Sequence, residues 1–403
     1  ANYGTLLFNA TSAKTISPAI TDNGTTTIQV INSADGAPGI ITFSGNIAAD
    51  TITIGTTTKA GSALFNGTVT GTNVNIVGGD TSEASLGNFA NTVTVTAITL
   101  DDNTATATAT FSGTAKTITG TINGLATTEG TITVSGTPTF ASTIGNTQRV
   151  SQLTINGATT FQAAVRTNAL TTTAAIANGT TLDVASTSTI GADITTSGTQ
   201  TYTGAVTLSS GTRTLTTTDS NISFGSTLDS DAALTPRALT LSMGTGTVQF
   251  NGVVGGTYAL GAISITGALD LNAAITSAAS LSVSGASDLG ANVTTSGTQT
   301  YTGAVTLSVS PTLTTTSNTI TFSSTVNSDS TTRSLTFGAG SGNAVFTGAV
   351  GNSAALGTIT DIAGQTLTFS DAVTATTIAN YGTLLFNATS AKTISPAITD
   401  NGT

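Results

Sequence analysis

Three acidic pairs, Asp80 with Glu83, Asp101 with Asp102 and Asp229 with Asp231, are the chain's candidates for acid–base chemistry. Two carboxylates held about 5 to 9 Å apart can share the work of glycoside cleavage. Cleaving an acidic polymer also calls for basic residues to bind it, and the chain has 9 Lys plus Arg and no His. The commonest proton-transfer side chain is therefore missing. The pairs are expected to be solvated turn residues, where Asp is favoured, and no catalytic residue is assigned. Gly78-Gly79-Asp80 is an isolated echo of the glycine- and aspartate-rich repeat that binds calcium. A calcium site needs several converging oxygen ligands, so no metal or cofactor is expected. Gly244-Thr245-Gly246 is too short a signal for a phosphate loop. The sequons at Asn9, Asn23, Asn66 and Asn292 read as turn asparagines in a Thr-rich chain.

Composition narrows the function classes further. Only 7% of the 403 residues are charged, against about 25% in an ordinary globular domain. Roughly a quarter are Thr. Hydrophobic residues still reach 38% and the mean hydropathy is +0.25, so the chain can bury a core, which disordered sequences cannot. Cys is absent, which removes disulfides, thiolate nucleophiles and thiolate metal sites. The net charge of −10 is spread thinly, without the basic stripe of a nucleic-acid binder. Apolar runs are short and broken, so no transmembrane segment is expected in this window.

The elements that position these residues have period two. Thr51–Gly55 (TITIG), Thr92–Leu100 (TVTVTAITL), Thr131–Gly136 (TITVSG) and Ala238–Met243 (ALTLSM) alternate aliphatic with Thr or Ser. That alternation sends one set inward and the other outward along a strand. A second period comes from aromatic anchors, each followed four residues later by an aliphatic: Phe43, Phe65, Phe89, Tyr202, Phe224, Phe250, Tyr301, Phe322, Phe346 and Phe369. Phe111, Phe140 and Phe161 are looser members, and Leu182 and Leu271 stand in where an aromatic is missing. Steps cluster near 22 residues, apart from the long step between Phe8 and Phe43. One step fits one coil of a parallel β-solenoid, with Phe stacked over Phe as an internal ladder. Phe lacks a polar handle, so burial is expected, while Tyr202 and Tyr301 are expected at an edge with their hydroxyls in water.

Longer repeats sit on top of this one. Ala1–Thr25 returns letter for letter as Ala379–Thr403, so residues 1–378 read as one repeat and 379–403 as the start of the next. Thr195–Ser209 recurs unchanged at Thr294–Ser308, an offset of 99, read as a block of about four coils. Asp219–Asp231 and Asn318–Asp329 read as turns. Tandem immunoglobulin-like sandwiches would also give blocks of this size, but the anchor recurs several times within a block. The expected fold is all-β, a parallel β-solenoid of about 16 to 17 coils per repeat, roughly 80 Å long at about 4.8 Å per coil.

Stretches such as Gly198–Asp231 (GTQTYTGAVTLSSGTRTLTTTDSNISFGSTLDSD) and Phe346–Thr360 (FTGAVGNSAALGTIT) resemble the repeat regions of giant bacterial surface proteins. These are the filamentous-haemagglutinin-like adhesins and the passengers of large autotransporters. The resemblance implies a right-handed β-helix forming a stiff extracellular stalk at the cell surface. The expected role is a non-enzymatic shaft whose partners are further copies end to end, with lateral association between weakly charged flanks. A glycan- or receptor-binding flank is the alternative, and a polysaccharide-active enzyme the third reading.

Overall fold

A computed structural model describes residues 4–21, 26–32, 39–80 and 83–402. The sequon at Asn23 lies outside them. The chain is an all-β parallel β-solenoid of about 17 turns, with no helix among the described residues. It divides into two compact units, Ala1–Thr199 and Gln200–Thr403. Among the described residues every pairing between strands is parallel, which excludes the antiparallel sandwich. The short strands keep the buried–exposed alternation that Thr and Ser impose, as in Thr27–Asn32 and Thr51–Ile54.

In the first unit the inward residues form columns, one residue per turn. One runs Leu6, Ile28, Ile52, Val74, Ile98, Ile122, Ile144, Val165 and Leu182. Beside it, Ile16, Phe43, Phe65, Phe89 and Phe111 continue as Val134, Ile155, Thr172 and Ile190. A third column runs Ile20, Ile47, Val69, Val93, Ile118, Phe140 and Phe161. Each apolar side chain removed from water contributes about 1.5–3 kcal/mol, and these columns are where that burial is concentrated.

The aromatic ladder is thus not a single column. Phe43, Phe65 and Phe89 stack with ring centroids 5.1 and 5.2 Å apart. Phe111 then meets Phe140 edge-on at 85° across a corner, and Phe140 and Phe161 occupy the neighbouring column. The cause is the step between aromatics: Phe140 follows Phe111 by 29 residues, but the turn from Phe111 returns to its column at Val134 after 23, so the aromatic lands one strand later. Leu182 does not replace an aromatic; it continues the Ile122 column. The long step from Phe8 has the same origin, because Phe8 pairs with Val30 and touches Phe43 only edge-on at 87°.

The second unit repeats the scheme. Tyr202, Phe224, Phe250, Leu271, Leu289 and Leu307 share one column, so Leu271 does stand in for an aromatic. Leu215, Leu241, Ile265, Val283, Tyr301, Phe322, Phe346, Phe369 and Phe386 share another. The sequence twin of Tyr202 is Tyr301, yet the column of Tyr202 reaches Leu307. The repeated block has rotated by one strand position and is not a whole number of turns. The stretches read as turns, Asp219–Asp231 and Asn318–Asp329, each contain two short strands, Ile222–Phe224 with Leu228–Ser230 and Ile320–Phe322 with Val326–Ser328.

Candidate functional site

Two of the acidic pairs are hydrogen-bonded, one where the strand Val93–Asp101 ends and the other on and beside the strand Leu228–Ser230. Asp101 accepts the Asn103 N–H at 3.0 Å, and Asp102 accepts the Ala107 N–H at 2.8 Å. Asp229 accepts the N–H groups of Thr257 and Tyr258. Asp231 takes a two-pronged bond from Arg237 at 2.6 and 3.1 Å, a pairing repeated by Asp329 and Arg333 in the next block. The guanidinium beside each of these two aspartates holds its carboxyl below the usual range. Solvent screens surface pairs of this kind, so they add little to stability. Among the described residues no group of three or more His, Cys, Asp or Glu converges to hold a metal, and no helix is long and apolar enough to cross a membrane.

Asparagine does related work between turns. The side-chain oxygens of Asn46, Asn123, Asn221 and Asn292 accept the N–H of Thr68, Thr147, Thr247 and Thr312, each one turn further on. The sequon residue Asn292 is thus a corner residue. These bonds occupy backbone donors that the corner would otherwise leave unpaired.

Three glycines combine a left-handed backbone with a close approach to the next turn. Gly145, Gly255 and Gly351 have φ of +67°, +68° and +67°. A Cβ at any of them would lie 1.9–2.0 Å from a carbonyl oxygen of the next turn, that of Arg166, Ser277 or Thr374. Each follows a column aliphatic (Ile144, Val254 or Val350) and precedes another buried aliphatic five residues on (Val150, Leu260 or Leu356). That spacing is visible in the sequence and marks these corners better than the aromatic anchor does.

Tyr202 and Tyr301 are fully buried, not at a wet edge. The Gln-Thr-Tyr alternation points Gln and Tyr inward together. The Tyr202 hydroxyl donates to Gln200 Oε1 at 2.9 Å and that of Tyr301 to Gln299 Oε1 at 3.2 Å. The amide nitrogens of the glutamines donate to the carbonyls of Thr216 and Thr314. Burial raises both phenols well above their ordinary value. A raised folded-state pKa contributes stability that is present below the unfolded value near 10 and lost as pH climbs past it. Phenolate absorbance on alkaline titration should therefore show Tyr202 and Tyr301 ionising only as the fold is lost. Ionisation of all phenols near pH 10 in a still-folded chain would contradict their burial.

Some interior polar groups lack partners. Ser188 and its sequence twin Ser287 bury their hydroxyls with no hydrogen bond, and Ser287 is stacked between Leu269 and Val305. An orphaned buried hydroxyl costs about 1–3 kcal/mol, so Ser287→Ala should raise the denaturation midpoint. A lowered midpoint would mean that the hydroxyl is satisfied.

The second unit also holds a cavity of about 340 Å³ lined by Thr336, Phe337, Thr360, Asp361, Ile362, Ala363 and Tyr381. Buried Asp361 accepts the N–H groups of Tyr381 and Gly382. Burial pushes its carboxyl up, against the pull of those two donors.

A scan against protein-family models matches nothing, and searches of curated proteins and of solved structures find no match.

Proposed function

We propose that this chain is a segment of a non-enzymatic structural shaft, a rod lengthened by adding copies, of the kind that stands off a bacterial cell surface. One observation carries the reading: apolar columns run through turn after turn of each unit, while charged residues such as Asp183, Asp270 and Asp288 alternate with the inward residues of their strands. Such columns have no natural end, since each turn buries the apolar face of the last. Corners of Thr, Ser and Asn with few charges favour side-by-side packing with little salt dependence, because there is little repulsion to screen. Electron microscopy of proteins carrying one, two and three copies of residues 1–378 tests the shaft. Length should rise by roughly 80 Å per copy, at about 4.8 Å per turn. Separate beads, or a length that does not grow, would overturn it.

The second reading, a glycan-binding flank, is favoured by the cavity beside Tyr381, where an exposed ring, two threonines and a carboxylate adjoin. Binding on a glycan array that is lost in Tyr381→Ala would support it. An array without signal would leave the shaft alone.

A further inference from the structure

We propose that residues 379–403 form a joint turn, which a second copy of this chain accepts in place of its own residues 1–25. The proposal rests on the shaft reading and adds the partner and the register. Its basis is one sequence seen with two different neighbours.

At its second occurrence the segment lies on the turn before it. Leu384 pairs with Leu367, Phe386 with Phe369, and Ile398 with Ile378, while Ile394 bridges Val373. At its first occurrence it pairs with the turn after it. Leu6 pairs with Ile28, Phe8 with Val30, Ile16 with Phe43, and Ile20 with Ile47. The opposite edges of one turn are therefore each matched, strand by strand. Overlaying the identical residues gives four continuous columns: Leu367, the shared Leu, then Ile28; Phe369, the shared Phe, then Val30; Val373, the shared Ile, then Phe43; Ile378, the shared Ile, then Ile47. All members are apolar and all pairings are parallel.

Phe386 and Ile398, both inward members of their columns, are 39% and 51% exposed. An unpaired edge with apolar residues invites another strand. Replacing one turn by another of identical sequence exchanges like contacts for like, so the joint needs no new interface chemistry. Copies joined in one polypeptide form it directly. Between separate chains, residues 1–25 of the acceptor must first peel away.

Cysteine cross-linking of the full chain tests this, on a background free of native Cys. Because Leu7 pairs with Gln29, its twin Leu385 should face Gln29 of the second copy. One chain carrying Leu385→Cys and another carrying Gln29→Cys, refolded together and oxidised, should give disulfide-linked heterodimers. Ile31→Cys in place of Gln29→Cys should give at least about tenfold fewer, because disulfide geometry tolerates little displacement. Absence of heterodimers, or equal yields with Ile31→Cys, would overturn the joint. A third chain carrying Thr300→Cys with Thr321→Cys, refolded alongside, reports turn stacking within a chain. If that pair links and the joint does not, the joint alone falls; if neither links, the shaft reading falls with it.

Discussion

Phe346→Ala should cost about 3–5 kcal/mol, the range for truncating a fully packed aromatic. Phe346 is completely buried. Its ring stacks on Phe322 at 4.7 Å and on Phe369 at 4.8 Å, nearly parallel to both, and Phe337 meets it edge-on at 6.3 Å. Truncation removes both stacking contacts and opens a void that rigid neighbouring turns cannot collapse to fill. Because each turn leans on the next, the damage should spread along the column before it spreads across it. Hydrogen exchange should accelerate first at Ile320–Phe322 and Thr366–Phe369. The exposed Thr347, one residue away, supplies the control: Thr347→Ala should change stability by no more than about 0.5 kcal/mol. Equal effects at the two positions would mean that the aromatic column does not carry the load assigned to it.

Gly351→Ala should be comparably damaging for a different reason. The backbone there is left-handed, which alone costs a non-glycine residue about 1–2 kcal/mol. The added Cβ would also sit 1.9 Å from the Thr374 carbonyl oxygen. That carbonyl accepts the Leu356 N–H, and the Thr374 N–H donates to Val350, so moving it disturbs the bonds that tie two turns together. Gly364 separates the two costs. Its φ is +80° with nothing near the Cβ position, so Gly364→Ala should show the conformational cost alone. Denaturant midpoints for both variants measure the difference. A Gly351→Ala loss no greater than that of Gly364→Ala would remove close approach between turns as the reason for the glycine.

Fold class and strand identity were legible because Val, Ile and Leu alternating with Thr leave a backbone few options. The turn period was legible wherever the corner after the aromatic has the same length, as from Phe43 to Phe89 and from Tyr301 to Phe369. Column assignment was not. A column is fixed by how the step between anchors compares with the local turn length, and Phe140, six residues past Val134, falls on the next strand. Side-chain type does not reveal the shift, since any column accepts any large apolar residue: Phe111 is followed in place by Val134, and Val283 by Tyr301.

Phe337, buried at the end of the column that holds Val293 and Leu313, escaped notice because no aliphatic follows it at the anchor spacing. The tyrosines were misplaced because a phenol was judged alone. The inward Gln two residues earlier supplies the acceptor that lets it be buried. Asp102 was legible as a turn residue, whereas Asp229 lies within the strand Leu228–Ser230 and its bonds to the following turn depend on register.

Cross-linking of Thr300→Cys with Thr321→Cys tests in-register parallel stacking most directly. These outward neighbours are paired across adjacent turns, and strands spaced about 4.8 Å apart fall within disulfide reach. Rapid, near-complete closure is expected for this pair and not for Thr300→Cys with Ser323→Cys, two residues out of register. Preferential closure of the Ser323 pair, or failure of both in folded protein, would contradict the stacking on which every column depends.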